Sequence, residues 1–343
     1  MKTRIVIGVS LIVVVLAMAN LFVSHAQQAV GVSATPPAGN GVPPLSNPLK
    51  VALLKWYAAN ETGITFPVGM GPTGVAFDGA NIWTANYNDG TVTKLRASDG
   101  TVLGTFKGFS APGGVTFDGA NIWVSNSITN NVSKVRASDG TILGTFPVPG
   151  VVPWWMTFDG ANIWVPSENA NGNGWVTKLR ASDGKNLGNF AVGNSPIASA
   201  FDGASVWVTN LGGGGPGTVT KLRASDGTVL GTFTVGSAPF GIAFDGAYMW
   251  VVNQYDSTIS KLRASDGTVV GTFPVQTGPY GVAFDGEYIW VSGGLDIVEL
   301  RPNDGSILHR YYSQMYTHNT TGIAFDGASI WVAAYNGNFV DKF

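Results

Sequence analysis

Short apolar runs alternate with glycine-rich turns along most of the chain. Between residues 74 and 106 there are four such runs, each rich in β-branched or aromatic residues and bounded by Gly, Asp or Asn. They cover residues 74–77, 81–83, 91–96 and 101–106. Asp78-Gly79 and Asp99-Gly100 indicate hairpin turns between them, because Asp and Gly tolerate positive φ. The pattern predicts a sheet of four antiparallel strands.

The same unit recurs seven times, and the tripeptide Phe-Asp-Gly marks every copy. Successive copies are 40, 41, 43, 43, 40 and 41 residues apart. Four-stranded units with this period are typical of β-propeller blades. We therefore predict an all-β, seven-bladed propeller of antiparallel blades over residues 61–343. The tripeptide phenylalanines are Phe77, Phe117, Phe158, Phe201, Phe244, Phe284 and Phe325.

The seventh copy stops on its third strand, at Phe343. A strand that matches the missing fourth one precedes the first copy: residues 63–69 read Gly-Ile-Thr-Phe-Pro-Val-Gly, close to Gly-Thr-Phe-Pro-Val at 271–275. An open stack of repeats needs polar caps at both ends, whereas a repeat divided between two ends predicts a closed ring. We expect the strand around Phe66 to complete the last blade and cover its edge.

Residues 1–26 have the pattern of a signal peptide. Lys2 and Arg4 precede an apolar stretch over 5–23, and small residues then mark a cleavage site after Ala26. An uncleaved membrane anchor is the alternative, because the stretch is near the lower length limit for a spanning helix. In either case we expect the folded part outside the cytoplasm, whether secreted, periplasmic or at the cell surface.

Residues 27–60 connect this segment to the repeats. Residues 27–47 are rich in Pro and Gly and predict an extended linker. A short helix is predicted over 48–60, because Asn47 can cap it and Pro48 is tolerated in a first turn. An outer strand of a blade is the alternative.

Composition narrows the classes of partner. The net charge of −2 supplies no basic excess for nucleic acid or an anionic membrane surface. A membrane contact is expected only through the N-terminal segment, if it is not cleaved. The absence of Cys excludes disulfides, thiolate metal sites and cysteine nucleophiles. We predict a monomer without a cofactor, whose partner is an unknown extracellular or envelope ligand or protein.

The connections between strands divide into two groups. With strands a to d counted from the ring centre outward, the a–b and c–d turns lie on one face and hardly differ among copies. The d–a and b–c connections lie on the other face, here called the variable face, and they diverge. Repeats share what a blade needs to fold, so divergence predicts a binding site on the variable face, around the central channel.

Candidate ligand-binding residues occupy equivalent positions there. An apolar residue precedes the tripeptide by four positions in blades 3 to 6, an arc that could stack a sugar, a cofactor or an aromatic ligand, or simply plug the ring. Asn follows the repeat Trp by three positions in four blades, and could bind a ligand or end strand b with a side-chain turn. The arc is Trp154, Ile197, Phe240 and Tyr280, with Trp155 beside it; the asparagines are Asn86, Asn126, Asn210 and Asn253; Glu168, His318 and Tyr335 are in neighbouring loops.

Two further repeated residue types have structural interpretations. The repeat Trp occurs once in every blade, which predicts packing between blades. The a–b turn carries an Asp in every blade, and turn chemistry explains it better than calcium binding. We expect these aspartates to pair with arginines just before the c–d turn on the same face. Those arginines are Arg96, Arg136, Arg180, Arg223 and Arg263.

The units Phe-Asp-Gly-Ala-Asn-Ile-Trp-Val, Val-Thr-Lys-Leu-Arg-Ala-Ser-Asp-Gly and Gly-Thr-Phe-Pro-Val resemble bacterial YVTN/NHL-type propeller repeats, from about residue 62 to 343. The chain is also distantly similar to streptogramin lyase-like propellers. That resemblance implies seven blades and a magnesium site with His and Glu residues in the central pocket. The sequence departs from it: His25 is in the export segment, His309 is on an outer strand, and only His318 is in a candidate pocket loop.

The sequence has no Gly-x-Ser-x-Gly elbow, P-loop or His-Glu-x-x-His motif. The principal hypothesis is therefore a binding or interaction scaffold that acts through its variable face. One alternative is a metal-dependent lyase- or lactonase-like enzyme whose ion is held by Glu168 and the asparagines. Another is a structural cell-surface repeat protein.

Overall fold

The computed structural model describes residues 63–168, 173–212, 215–294, 296–312 and 319–343. These residues form β-strands and connecting turns and contain no helix. Nothing among them resembles a long apolar helix that could span a bilayer. The predicted signal peptide, linker and short helix, and His318, lie outside the described residues.

In chain order the strands are β1 (Ile64–Pro67), β2 (Pro72–Phe77), β3 (Asn81–Asn86), β4 (Thr91–Arg96), β5 (Val102–Lys107), β6 (Pro112–Phe117), β7 (Asn121–Asn126), β8 (Asn131–Arg136), β9 (Ile142–Pro147), β10 (Thr157–Phe158), β11 (Asn162–Glu168), β12 (Gly174–Arg180), β13 (Asn186–Val192), β14 (Pro196–Phe201), β15 (Ser205–Asn210), β16 (Pro216–Arg223), β17 (Val229–Ser237), β18 (Pro239–Phe244), β19 (Tyr248–Asn253), β20 (Thr258–Arg263), β21 (Val269–Pro274), β22 (Pro279–Phe284), β23 (Ile289–Gly293), β24 (Asp296–Leu300), β25 (Ile307–Tyr312), β26 (Thr320–Phe325), β27 (Ile330–Ala334) and β28 (Phe339–Lys342).

The strands form seven four-stranded antiparallel sheets. Blades 1 to 6 each use four consecutive strands, from β2–β5 to β22–β25, in the order a, b, c, d. Blade 7 has the order β26, β27, β28, β1. The predicted seven-bladed propeller is confirmed, including its divided last blade.

The ring is closed by main-chain pairing of β1 with β28. Ile64 lies opposite Lys342, and Phe66 lies opposite Val340. The Thr65 hydroxyl donates a hydrogen bond of 2.9 Å to Asp341 Oδ1. The Phe66 ring packs 5.4 Å from the ring of Trp331, so β1 supplies core as well as backbone partners.

A fully or nearly buried Trp on strand b anchors every blade. In blade 1, Trp83 Nε1 donates a 2.8 Å hydrogen bond to Asp78 Oδ2, while Asp78 Oδ1 accepts from the backbone N–H of Asn81. Burial opposes the charge of Asp78, but the bonds from Trp83, Asn81 and Ala80 outweigh it and lower the pKa of this carboxyl. The same Trp–Asp bond, 2.7 to 2.9 Å long, occurs in all seven blades.

The expected pairing of the a–b aspartates with the arginines is wrong. Arg96 instead pairs with Asp99, three residues later in its own c–d turn, at 2.8 Å. Both side chains are about half-exposed, and the other four arginines repeat the arrangement. The a–b aspartate instead accepts a hydrogen bond from the buried indole of its own blade.

A lysine on strand c links each of six blades to the next. Lys94 Nζ lies 5.1 Å from the centre of the Trp83 ring and donates a 2.6 Å hydrogen bond to the backbone oxygen of Ala137, in blade 2. The other members of the series are Lys134 to Ala181, Lys178 to Ala224, Lys221 to Ala264, Lys261 to Pro302, and Lys342 to Ala97. The last of these returns from blade 7 to blade 1.

The d-strand phenylalanine completes the contact between blades. Phe106 lies beside Trp83, with 5.5 Å between ring centres, and also reaches the c–d turn of blade 2. Gly140 in that turn has φ +77, and a Cβ there would overlap the Phe106 ring. Glycine is therefore required at this position both for its backbone conformation and for the close approach.

Replacement of Lys134 by Met should test the link. The aliphatic stem would stay on Trp123, but the buried Ala181 carbonyl would lose its donor, so we expect the free energy of unfolding to fall by about 1–3 kcal/mol. Urea denaturation measures this. Arg136→Met, two residues away in an exposed ion pair, is the control and should have a much smaller effect. Equal losses in the two variants would contradict the link.

Candidate functional site

The central channel has a wall that is hydrogen-bonded from blade to blade. Hydroxyl groups on strands a and b donate to carbonyl oxygens of the neighbouring blade. Thr73 Oγ1 donates to Gly113 O at 2.9 Å, Thr209 Oγ1 to Phe240 O at 2.8 Å, and Thr321 Oγ1 to Pro72 O at 3.0 Å. The wall of the channel therefore joins neighbouring blades to one another.

Blade 3 departs from this regular wall. Its innermost strand, β10, has only two residues, and the preceding segment forms a parallel bridge between Trp155 and Ala198 of blade 4. Trp155 Nε1 also donates to Gly113 O, in blade 2, at 3.3 Å. A Cβ at Gly113 would lie 2.9 Å from the Trp154 ring, so glycine makes room for this segment beside the channel.

Aromatic side chains from four blades meet at the channel. Trp154 stacks parallel to Tyr87 of blade 1, with 6.1 Å between ring centres and 4° between planes. Trp155 meets Tyr280 edge-on at 5.4 Å, and Phe240 lies 4.3 Å from Tyr280. The structure thus brings together three of the four residues of the predicted arc, and Trp155 with them.

Ile197, the remaining member, is 5% exposed and belongs to a buried cluster with Trp207 and Val251. Trp154 and Trp155 pack against the same cluster, so Ile197 supports them from within the core. Its side chain does not line the cavity at the channel mouth.

A cavity of about 990 Å³ opens at the channel mouth on the variable face. We call it the mouth cavity. Its described lining is aromatic or uncharged and polar, with no Asp, Glu, Lys, Arg or His. The lining residues are Thr73, Tyr87, Trp154, Gln254, Tyr255, Ser257, Thr277, Gly278, Tyr280, Gly294, Asn319, Thr320, Thr321 and Tyr335. A second cavity of about 140 Å³ lies among inner-strand residues and includes Trp155 in its wall.

The two tyrosines of the sequence prediction are both in the mouth cavity. Burial, with a smaller contribution from Tyr335, raises the pKa of Tyr280 to about 12, so its hydroxyl is a neutral donor and acceptor at any physiological pH. Tyr335 donates a 3.0 Å hydrogen bond to Asn88 Oδ1, which fixes its ring at the rim.

The four predicted asparagines lie elsewhere. Asn86 is fully buried, and its Nδ2 donates at 2.9 Å to the hydroxyls of Thr91 and Thr93 on the next strand. Asn126, Asn210 and Asn253 make equivalent bonds, and none of the four lines the mouth cavity. They end strand b, as in the alternative interpretation, but their side chains bond to hydroxyls on strand c and do not form the predicted side-chain turn: Oδ1 of Asn86, Asn210 and Asn253 accepts no hydrogen bond from the described residues.

Glu168 and His309 are also apart from the described lining. Glu168 ends β11, where its backbone exchanges hydrogen bonds with Val151. His309 is on outer strand β25, with Nδ1 2.9 Å from Glu299 Oε2. His318 lies outside the described residues, although its neighbour Asn319 lines the cavity. No group of three or more His, Cys, Asp or Glu side chains able to hold a metal occurs in the described part of the chain.

Sequence reasoning missed Tyr87, Gln254 and Tyr255. All three follow the Asn that ends strand b, in loops already assigned to the variable face. Tyr255 is 78% exposed, an unusual state for so large an aromatic residue. A Tyr one or two positions after this Asn, in blades 1 and 5 but not in blades 2 and 4, is the signal that could have identified Tyr87 and Tyr255.

Comparison with known proteins supports the fold. The chain is similar to hydrazine synthase of Kuenenia stuttgartiensis, with a TM-score of 0.72, 16% identity, and coverage of 83% of this chain and 98% of that one. It is also similar to a catalytically inactive variant of virginiamycin B lyase from Staphylococcus aureus with quinupristin, with a TM-score of 0.69, 20% identity, and coverage of 81% and 97%. A streptogramin B lyase gives a TM-score of 0.68 at 20% identity, with coverage of 81% and 96%.

These identities support a shared fold and nothing finer. No protein-family model matches the chain, and no curated relative does. The resemblance to streptogramin lyase-like propellers is therefore confirmed for the fold, whereas the assignment to YVTN/NHL repeats stays a prediction.

Proposed function

We propose that this chain is an exported binding scaffold, and that its ligand enters the mouth cavity on the variable face. The observation that carries the proposal is the cavity itself: about 990 Å³, aromatic, and placed where the seven otherwise uniform blades differ from one another. Ligand sites are typically concave and apolar, with a few polar groups that fix orientation.

The way the aromatic groups are held favours binding over simple filling of the ring. Trp154 and Tyr280 are half-buried, so each presents part of its surface to the cavity. Trp154 packs against Tyr87 and Tyr280 packs against Phe240, so these contacts restrict the side chains before a ligand arrives and leave less freedom to be lost on binding. A preformed aromatic surface of this kind loses little conformational entropy when a ligand binds.

A thermal-shift screen of the full chain tests the cavity. The panel contains neutral oligosaccharides, nucleosides, aromatic dipeptides and dicarboxylic acids. We expect at least one compound to raise the melting temperature by several degrees near saturation, since binding to the folded state alone stabilises it. Trp154→Ala and Tyr280→Ala should each abolish the shift, and Arg136→Ala, on the opposite face, should retain it. A shift that survives both cavity substitutions would contradict the proposal.

Export is supported by the sequence of residues 1–26, with a basic start, an apolar core and small residues before Ala26. We expect the protein recovered from outside the cytoplasm to begin at Gln27, as determined by N-terminal sequencing. Recovery of a chain that retains Lys2 and Arg4 in the membrane fraction would instead identify an anchor.

A metal-dependent lyase-like enzyme is the second candidate, favoured by the likeness to the two lyase structures in fold and blade arrangement. In that case Glu168 would be the carboxylate ligand predicted from the sequence, although it lies outside the described lining of the mouth cavity. Metal analysis of purified full chain and of Glu168→Gln separates the candidates. A binding scaffold is expected to carry no stoichiometric divalent ion in either form. One ion per chain that is lost in Glu168→Gln would favour the enzyme.

A further inference from the structure

We infer that the ligand of the mouth cavity is a neutral oligosaccharide, and this inference rests on the proposed function. Three properties of the described lining lead to it: the aromatic surfaces, the kind of polar groups, and the absence of charge. Each restricts the ligand in a different way.

The aromatic surfaces fit a ligand whose faces carry C–H groups. Five of the fourteen lining residues are Trp or Tyr. The face of an aromatic ring carries partial negative charge and attracts polarised C–H bonds. Sugar rings present such bonds on their flat faces and hydroxyls around their edges. Trp154 and Tyr87, stacked in parallel planes, give one such platform, and the exposed ring of Tyr255 gives another.

The polar groups fit a ligand whose own groups both donate and accept. The lining supplies the amides of Gln254 and Asn319 and the hydroxyls of Ser257, Thr277 and Tyr280. All of these can donate and accept hydrogen bonds, as sugar hydroxyls do. A wholly apolar ligand would cover them without providing partners, which costs free energy for every group left unpaired.

The lack of charged side chains in the described lining disfavours ionic ligands. A phosphate, carboxylate or ammonium group would lose water in a cavity whose described lining offers no opposite charge. The hydroxyl of Tyr280 does not change this, because burial raises its pKa to about 12 and keeps it neutral. A neutral saccharide has no such cost.

The size points to more than one sugar ring. The cavity volume of about 990 Å³ is at the upper end of the range for small-ligand sites, and it is open to solvent on the variable face. The lining comes from blades 1, 3, 5, 6 and 7, so the two aromatic platforms lie on different sides of the mouth. A chain of sugar units can contact both.

Isothermal titration of the full chain with defined sugars tests the inference. The probes are the neutral tetrasaccharides of cellulose, xylan, mannan and chitin, with tetragalacturonate as the charged counterpart and a Trp-containing tripeptide as the aromatic counterpart. At least one neutral probe should bind, and raised salt should leave its affinity unchanged, because no ion pair is involved.

The variants then assign the binding to the cavity. Trp154→Ala should weaken it at least tenfold, and Tyr280→Phe should weaken it several-fold by removing one hydroxyl. Tyr255→Ala should weaken it as well, and this side chain is too exposed for its loss to unfold the protein. Arg136→Ala, on the opposite face, should bind like the original chain.

The outcomes separate this inference from the proposed function. If no neutral probe binds while the tripeptide binds and loses affinity in Trp154→Ala, the sugar inference is overturned and the binding scaffold stands. Tighter binding of tetragalacturonate than of every neutral probe overturns the inference in the same way. If a neutral probe binds equally well to Trp154→Ala, Tyr280→Phe and Tyr255→Ala, the cavity is not its site and both are overturned.

Discussion

The hydrogen bond from the repeat Trp to the a–b aspartate is the interaction on which the rest of the ring depends. A buried indole N–H needs an acceptor, and a partly buried carboxylate needs several donors. Asp78 and Trp83 satisfy both needs at once, at 2.8 Å, and the other oxygen of Asp78 fixes the turn. The ring of Trp83 is then held rigidly enough to receive Phe106 on one side and the ammonium of Lys94 on the other. Lys94 in turn bonds to the next blade, so a contact within one blade is extended to its neighbour around the ring.

Blade 6 lacks the strand c lysine, and the reason lies in the blade that follows it. The lysine position there is Glu299, which lies under Tyr311 and accepts its hydroxyl at 3.1 Å. In the other blades the lysine needs a carbonyl in the c–d turn of its neighbour. Blade 7 has no c–d turn, since its strands c and d, β28 and β1, come from distant parts of the chain. An ammonium at this junction would not find the c–d turn carbonyl that it uses in the other blades, and a carboxylate with two local partners takes its place.

The sequence was sufficient to predict the blade count, the divided last blade and the face that carries the cavity, because these follow from repeated residues with fixed spacing. It was insufficient where a side chain had a choice of partners. The a–b aspartates were assigned to arginines because both types lie on one face, but the indole was closer. The shortened strand β10 could not be foreseen either. Trp154 and Trp155 stand at positions that the repeat aligns with an inner strand, and only packing against Gly113 and Ala198 moves them across the channel.

The pairing of β1 with β28 has a consequence for synthesis. Thr65 and Asp341, which bond across this pair, are 276 residues apart. Among the described strands, β1 therefore leaves the ribosome first and finds its partner last, and it waits while all six intact blades are made. During that time one edge of the growing protein is uncovered, and contacts this distant in sequence form slowly. Strand β1 can pair only after β28 has emerged, so the formation of this pair coincides with completion of the ring.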